Sequence, residues 1–243
     1  MILLLAASPF APDTSSTRIV LIHGAATTAH VWDGLARALA GAGEIVTPQR
    51  AYSGDLEREL HDLRDIVTGA FVVGVSGGAT LGLALAVEGV PILGAVLHEP
   101  AAGSLAPGLL DHVIRARNEG GDAAFGAALY GSGWADRLLP NDPEAVGRDL
   151  AMFRAFEPTS PQIPLTHVTL TVGGSSPGIR HDSVKALARL TGAQTCVVPR
   201  AGHAVHLTEV PSFAQVIVER LHASVTGRVS VGSWQASNRK KGN

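Results

Sequence analysis

A serine flanked by glycines at a predicted strand–helix junction constrains this chain more than any other feature. Residues 74–78 read Gly-Val-Ser-Gly-Gly, which fits the pattern G-x-S-x-G around Ser76. The apolar residues 71–73 before the motif predict a short buried strand, and residues 80–88 after it predict an apolar helix. A serine on such a sharp turn projects its hydroxyl beyond the sheet edge, beside a free backbone N–H. Ser76 is therefore a candidate nucleophile, and the alternative is a glycine-rich turn with an incidental serine.

Strand-like and helix-like segments alternate on both sides of this motif. Continuous apolar runs of strand length are typical of strands buried on both faces, and apolar residues at helical spacing indicate the helices between them. The predicted strands are 18–23, 44–48, 92–98, 167–172 and 195–198, and the predicted helices are 31–40, 55–68, 182–190 and 211–221. This alternation predicts an α/β fold whose mostly parallel sheet has helices on both faces.

The alternation is interrupted between residues 103 and 164. This stretch has no strand-like run and instead contains three short helical segments, 109–117, 122–129 and 143–155, broken by Gly and Pro. We interpret it as an inserted helical lobe. Its aromatic residues favour a core within the lobe itself, and any that face the sheet would line an apolar pocket; they are Phe125, Tyr130, Trp134, Phe153 and Phe156.

Composition and charge exclude several functional classes. Hydrophobic residues make up 46% and charged residues 16% of the 243 residues, which is typical of a globular chain. A formal net charge of −2 argues against a nucleic-acid or anionic-membrane surface. The single cysteine, Cys196, excludes an internal disulfide, and its place in a predicted strand favours a buried structural thiol.

The two ends of the chain carry weaker signals. The apolar start, residues 1–8, is too short to span a membrane and lacks a basic flank, so we expect no signal peptide and a cytoplasmic protein. Residues 224–243 are polar, with four basic residues and no acid, and predict a disordered tail.

Three motifs in this order resemble those of the α/β-hydrolases. His23-Gly24 follows an early strand, residues 74–78 match the nucleophile elbow, and Ala201-Gly202-His203 follows the last strand. The resemblance spans residues 18–222 and implies a hydrolase core at 1–102 and 165–223, with a cap at 103–164. The family's first two strands are absent here or reduced to the N-terminal apolar segment, and the stretch after the second strand is only residues 49–54.

A serine nucleophile needs a positioned base, and His203 is the candidate. It lies in a loop after the last predicted strand, where the imidazole can reach over the sheet edge. His206 is expected at a helix start, whereas His23 and His98 end strands and favour packing and loop-holding roles. Only a neutral imidazole acts as a base, so we expect the rate to rise within about pH 5 to 8 as His203 loses its proton.

The third member of the triad is the informative departure from the family. Most α/β-hydrolases carry the acid a few residues after the strand that corresponds to 167–172, but here residues 173–178 contain no carboxylate. Glu99 follows the preceding strand, which is where haloalkane dehalogenases and zearalenone-type lactone hydrolases place their acid. The sequence thus predicts Glu99 as the partner of His203. The alternatives are Asp182, which we interpret as a helix N-cap, or no working acid.

The oxyanion of an acyl-transfer intermediate needs two preorganised N–H donors. The backbone of Gly77, directly after the nucleophile, offers one. The family resemblance implies the second, the residue after His23-Gly24, which is Ala25.

These features together predict a serine hydrolase that cleaves a carboxylic ester or lactone of a mostly apolar small molecule. The hypothesis includes a Ser76-His203-Glu99 triad, no cofactor and no metal, since the histidines lack metal-ligand spacing. We expect no nucleic-acid or membrane partner and a monomer or homodimer. The same triad serves hydroxynitrile lyases, carbon–carbon hydrolases and acyltransferases, and the fold also hosts receptors that bind a small ligand with little turnover.

Overall fold

A six-stranded parallel sheet forms the centre of the molecule. A computed structural model of the chain describes residues 16–131 and 134–239, with the backbone alone for residues 228–239. The strand order is β2-β1-β3-β4-β5-β6, and every neighbouring pair is parallel. The strands are β1 (Arg18–Ile22), β2 (Glu44–Val46), β3 (Phe71–Val75), β4 (Gly94–His98), β5 (Val168–Gly173) and β6 (Gln194–Val198). This confirms the predicted α/β class.

Helices connect the strands and cover both faces of the sheet. They are α1 (Asp33–Ala38), α2 (Leu56–Val67), α3 (Gly77–Val87), α4 (Asp111–Tyr130), α5 (Ala145–Ala155), α6 (Gly178–Thr191), α7 (Val205–Thr208) and α8 (Val210–Arg239). Asp55 caps α2 by accepting a hydrogen bond from the Arg58 N–H, as an N-cap aspartate does. None of the helices in the described part of the chain is long and apolar enough to cross a membrane.

Successive residues of each strand feed two separate hydrophobic clusters. Ile19 and Leu21 of β1 pack on one face of the sheet with α1 and α8, whereas Val20 and Ile22 pack on the other face with α2 and α3. This two-residue alternation is intrinsic to a strand, and both faces are apolar because helices cover both. The continuous apolar runs in the sequence are therefore explained by burial on both sides.

The segment between β4 and β5 contains α4 and α5, and no strand among its described residues. In α4 the backbone leaves helical geometry at Gly120 and Gly121, so the two helices predicted there form one kinked element. Gly121 has a φ of +69°, a conformation that favours glycine.

A buried arginine ties this segment to the sheet domain. Arg50, just after β2, donates two hydrogen bonds to Asp149 of α5, at 3.0 and 2.7 Å, and one of 3.0 Å to Glu59 of α2. Its guanidinium also lies 5.2 Å from the ring centroid of Tyr52 and 5.5 Å from that of Phe153. Burial alone would lower the pKa of Arg50, but Asp149 and Glu59 raise it above its usual value. The cluster is fully paired and anchors α5.

Three local expectations need correction. The last helix extends to Arg239 and so includes residues 224–239, where the sequence predicts a disordered tail; residues 240–243 lie outside the described part. Cys196 is partly exposed because β6 is an edge strand, so it is not a buried thiol. Helix α6 begins at Gly178, one turn before the start that the sequence predicts, which places Asp182 inside the helix.

Candidate active site

Ser76 occupies a strained elbow between β3 and α3. Its backbone has φ 57° and ψ −121°, a conformation that L-residues rarely adopt, and the two elements meet at this single residue. Glycine is required beside it, because a Cβ on Gly78 would lie 1.9 Å from the Ile22 carbonyl oxygen. The predicted strand–turn–helix context of the motif is present, and it places the serine side chain at the carboxyl end of the sheet.

Glu99 and His203 meet beside this elbow. Glu99 directly follows β4, with φ 48°, and its Oε2 accepts a hydrogen bond of 2.8 Å from His203 Nδ1. An ionised carboxylate only accepts, so Nδ1 carries the hydrogen and Nε2 presents its lone pair. His203 Nε2 is buried and hydrogen-bonds to none of the described residues, and this is the nitrogen that could take a proton from a serine.

The Glu99 carboxylate is held in the ionised form by several donors. Its Oε1 accepts hydrogen bonds from the Gly173 N–H, at 3.0 Å, and from the Ser176 hydroxyl. Arg180 Nε lies 3.2 Å from Oε2. Burial alone would raise the pKa of Glu99, but His203, His98 and Arg180 hold it well below its usual range. The acid-free loop after β5 thus supplies donors to an acid on the neighbouring strand.

The pKa of His203 is shifted in the direction that favours a neutral base. Burial and the positive charge of Arg180 lower it to about 4, although the hydrogen bond to Glu99 acts in the opposite direction. The imidazole is therefore neutral at physiological pH.

Tyr130, at the end of α4, reaches from the helical segment into this site. Its hydroxyl donates a 2.9 Å hydrogen bond to the Ala25 carbonyl oxygen and interacts with the side chains of Ser76 and Thr27. Its ring stacks on that of His203, with centroids 5.9 Å apart. No hydrogen bond joins Ser76 to His203 in this arrangement. Tyr130 thus covers both side chains.

The other predicted histidines hold loops or pack. His23 Nε2 accepts from the Arg50 N–H at 3.1 Å, and His98 lies 3.0 Å from Thr171 Oγ1 and 3.1 Å from the Gly202 carbonyl oxygen, next to His203. His206 is buried at the start of α7 against Trp32, with ring centroids 4.9 Å apart. Burial lowers the pKa of His23 and of His206 to about 3.

Asp182 lies away from this cluster. Its side chain is 79% exposed and faces Lys185, at 3.7 Å. It is not an N-cap, because Pro177 occupies that position of α6. The interpretation of Asp182 as a cap is wrong.

Two pockets adjoin at the site. A nearly filled cavity of about 30 Å³ brings together four of the residues singled out in the sequence, Ala25, Ser76, Gly77 and Glu99. Its apolar wall includes Phe125 and Phe153, so these two aromatics face the site. A larger groove of about 880 Å³ opens on the side of His203, and Leu129 and Arg180 line both pockets.

Sequence reasoning missed Arg180 and the role of Tyr130 at the site. Arg180 lies in a segment without a motif, and its burial beside Glu99 depends on the packing of α6. Tyr130 was visible only as one of several cap aromatics. Among the described residues, no group of His, Cys, Asp and Glu side chains could hold a metal ion.

Comparison with known proteins agrees with this architecture. The alpha/beta hydrolase family profile matches residues 19–216. The chain therefore belongs to the α/β-hydrolase family, as the resemblance in the sequence implies, and it is an enzyme of that class. The comparison with curated proteins gives no match.

Solved structures with the same fold include several hydrolases. A thermophilic esterase from Thermogutta terrifontis has a TM-score of 0.67 at 18% identity, covering 88% of this chain and 92% of its own. The type II thioesterase BorB from the borrelidin biosynthetic cluster has a TM-score of 0.65 at 17% identity, and the match covers 88% of this chain and 94% of BorB. The enol-lactonase from Burkholderia xenovorans LB400 has a TM-score of 0.63 at 18% identity, and the match covers 86% of this chain and 92% of the lactonase. At these identities the likeness concerns the fold alone.

Proposed function

We propose that the protein is a serine hydrolase that cleaves a carboxylic ester or lactone of a mostly apolar small molecule through an acyl-enzyme. Ser76 is the nucleophile, His203 the general base and Glu99 the acid that orients it. The observation that carries this proposal is the 2.8 Å contact between Glu99 Oε2 and His203 Nδ1, with Nε2 left unpaired beside the elbow serine.

In the first half-reaction, Ser76 Oγ attacks the substrate carbonyl carbon while His203 Nε2 takes the hydroxyl proton. Glu99 stabilises the imidazolium that forms and keeps the ring in the productive tautomer. The oxyanion is bound by the N–H groups of Ala25 and Gly77, each contributing about 3–4 kcal/mol to transition-state stabilisation. His203 then donates its proton to the leaving oxygen as the carbon–oxygen bond breaks.

In the second half-reaction, a water molecule attacks the acyl-enzyme. His203 removes a proton from this water and returns it to Ser76 Oγ as the acid product departs. The Tyr130 side chain interacts with Ser76 and stacks on His203, so it must move aside before Ser76 Oγ can reach a substrate and pass its proton to His203 Nε2. Residues of α4 and α5 form much of the cavity wall, so we expect the helical segment to move when a substrate enters.

The apolar wall of the cavity supports the substrate class. Leu110, Val113, Phe125, Leu150 and Phe153 surround the space next to Ser76, and such a wall suits a hydrophobic acyl or lactone ring.

A panel of phenyl esters and lactones, assayed with the wild type and with Ser76→Ala, tests the proposal. The wild type should hydrolyse at least one compound, and Ser76→Ala should lose that activity while its thermal unfolding and ligand binding are retained. His203→Ala should lose activity similarly, and His206→Ala should lose far less. Binding without turnover would favour a receptor-like protein instead, and full activity of Ser76→Ala would exclude the proposed nucleophile.

A further inference from the structure

The groove beside His203 has a strongly basic lining. It is formed by α4, the first turn of α6 and the loop between β6 and α7, and it contains three arginines and a single acid. These are Arg115, Arg180, Arg200 and Asp111; the other titratable groups are His112, Tyr130 and His203.

Arg180 lies where the groove meets the cavity of Ser76. The side chain is 6% exposed, and its ion pair with Glu99, at 3.2 Å from Nε, is the one polar contact it makes with the described residues. A guanidinium has five N–H donors, so most of them remain available. Burial lowers the pKa of Arg180, but an arginine stays protonated at neutral pH.

The two outer arginines are also available to a ligand. Arg115 is exposed, and its side chain forms no hydrogen bond or ion pair with the described part of the chain. The side chain of Arg200 is 78% exposed, and its ion pair among the described residues is a 3.7 Å contact with Glu209. Asp111 in the groove, Glu99 beside Arg180 and Glu209 near Arg200 compensate part of this charge, whereas Arg115 has no acidic partner among the described residues.

The position of His203 decides which part of the substrate meets this charge. His203 must protonate the leaving oxygen, so the leaving group lies on its side of the scissile bond, and His203 lines the groove rather than the cavity. The acyl carbon bonded to Ser76 lies on the cavity side, where the wall is apolar.

We propose that the leaving group of the substrate carries a carboxylate or phosphate, which Arg180 binds at the inner end of the groove and Arg115 and Arg200 bind further out. This deepens the proposed function and rests on it. The chemistry is that of acylation: the Ser76 oxygen–carbon bond forms, the bond to the leaving oxygen breaks, and the serine proton passes through His203 to that oxygen. The anionic alcohol then leaves through the groove.

Matched butanoate esters test the assignment. Phenyl butanoate is the neutral reference, 4-carboxyphenyl and 4-(phosphonomethyl)phenyl butanoate carry the anion on the leaving group, and the phenyl monoester of succinic acid carries it on the acyl group. We expect kcat/KM for an ester with an anionic leaving group to exceed that for phenyl butanoate by at least about tenfold, mainly through a lower KM. Comparing kcat/KM for the carboxylate ester with that for the phosphonate ester shows which of the two anions the groove prefers.

Arginine variants connect this preference to the groove. Arg115→Gln combined with Arg200→Gln should lower the ratio of kcat/KM between the carboxylated and the neutral ester to the part that Arg180 alone provides, and high salt should act in the same direction. Arg154→Gln removes an exposed charge of α5 that lines neither pocket, and should leave the ratio unchanged. An unchanged ratio in the double variant, or a preference for the succinyl ester, would overturn the proposal.

A binding measurement separates this inference from the proposed function. In Ser76→Ala, 4-hydroxybenzoate should bind more tightly than the neutral 4-hydroxybenzamide, and adding the double arginine substitution should reduce the difference. If phenyl butanoate is hydrolysed through Ser76 but the anion confers no advantage, the hydrolase proposal stands and the groove assignment fails. If no ester is hydrolysed but the binding difference is present, the groove binds anions, and the assignment of that anion to a leaving group falls together with the hydrolase proposal.

Discussion

Arg50 and Arg180 are both buried beside carboxylates, yet their surroundings differ. Arg50 has two acidic partners, donates three hydrogen bonds to them and lines neither pocket at the site. Arg180 has one acidic partner, which is shared with His203, and lines both pockets. A buried cation that is hydrogen-bonded to two acids serves packing, whereas one with a single acidic partner and spare donors at a cavity is suited to a ligand or a reaction.

Asp149 and Glu99, the carboxylates beside these two arginines, also differ in their hydrogen-bond partners. Asp149 accepts a bidentate pair from Arg50, and burial raises its pKa despite that pairing. Glu99 is surrounded by donors from three different parts of the chain, and its pKa falls. The Arg50 cluster joins α5 to the sheet domain, whereas the Glu99 cluster holds the His203 base at the elbow.

The largest expected effect is on Glu99. Glu99→Gln should lower kcat by about 10⁴, the loss seen when a triad acid becomes an amide in a well-studied serine protease. From the sequence alone this change would strand no charge. The structure corrects that expectation, because Arg180 would lie buried beside a neutral amide, so unfolding should also become easier.

Steady-state kinetics well below the unfolding temperature separate the two effects in Glu99→Gln. Asp182→Asn is the matched control, since its exposed side chain contacts only Lys185. The control should retain both activity and stability. A strong loss of activity in Asp182→Asn, or wild-type kcat in Glu99→Gln, would contradict the assignment of the acid.

A large effect on stability is expected when Arg50 loses its partner Asp149. Asp149→Ala breaks a buried ion pair and should lower the free energy of unfolding by about 3–5 kcal/mol, measured by urea titration. Glu88→Ala breaks the exposed Arg64–Glu88 pair and should cost at most about 1 kcal/mol. An equal loss of unfolding free energy in the two variants would mean that burial does not distinguish these ion pairs.

The pH dependence is the smaller effect and bears on Arg180. Because burial and Arg180 lower the pKa of His203 to about 4, kcat/KM should be constant from about pH 5 to 8 and fall as the pH drops through about 4. This replaces the rise within pH 5 to 8 expected from an unperturbed histidine. In Arg180→Gln the midpoint should move upward, and an unchanged midpoint would show that Arg180 does not act on His203.

The sequence predicted the elements whose causes are local. The elbow follows from glycines around Ser76 and the sheet from apolar runs, whereas the candidate acid follows from the family resemblance together with the absence of a carboxylate in residues 173–178. The start of α6 was misplaced because Asp182 is a favourable cap type, whereas the helix begins one turn earlier at Gly178.

The contacts that shape the pocket could not be predicted, because they join distant residues. The Tyr130 hydroxyl meets the Ala25 carbonyl across 105 positions, and Arg50 meets Asp149 across 99. No local pattern encodes which side of a cap helix faces the sheet, so Tyr130 was only one of several aromatics. In the sequence, Arg180 has no feature that separates it from the exposed basic residues of an amphipathic helix, although it is buried in the structure.

The central claim is an acyl group carried by Ser76, and mass spectrometry of a trapped intermediate tests it most directly. A slowly hydrolysed ester of the substrate class is mixed with the enzyme and quenched in acid within the first turnover. The account predicts an increase in the mass of the intact protein equal to one acyl group, located by peptide mapping on Ser76 and absent in Ser76→Ala. An acyl group on any other residue, or product release with no covalent species under single-turnover conditions, would contradict it.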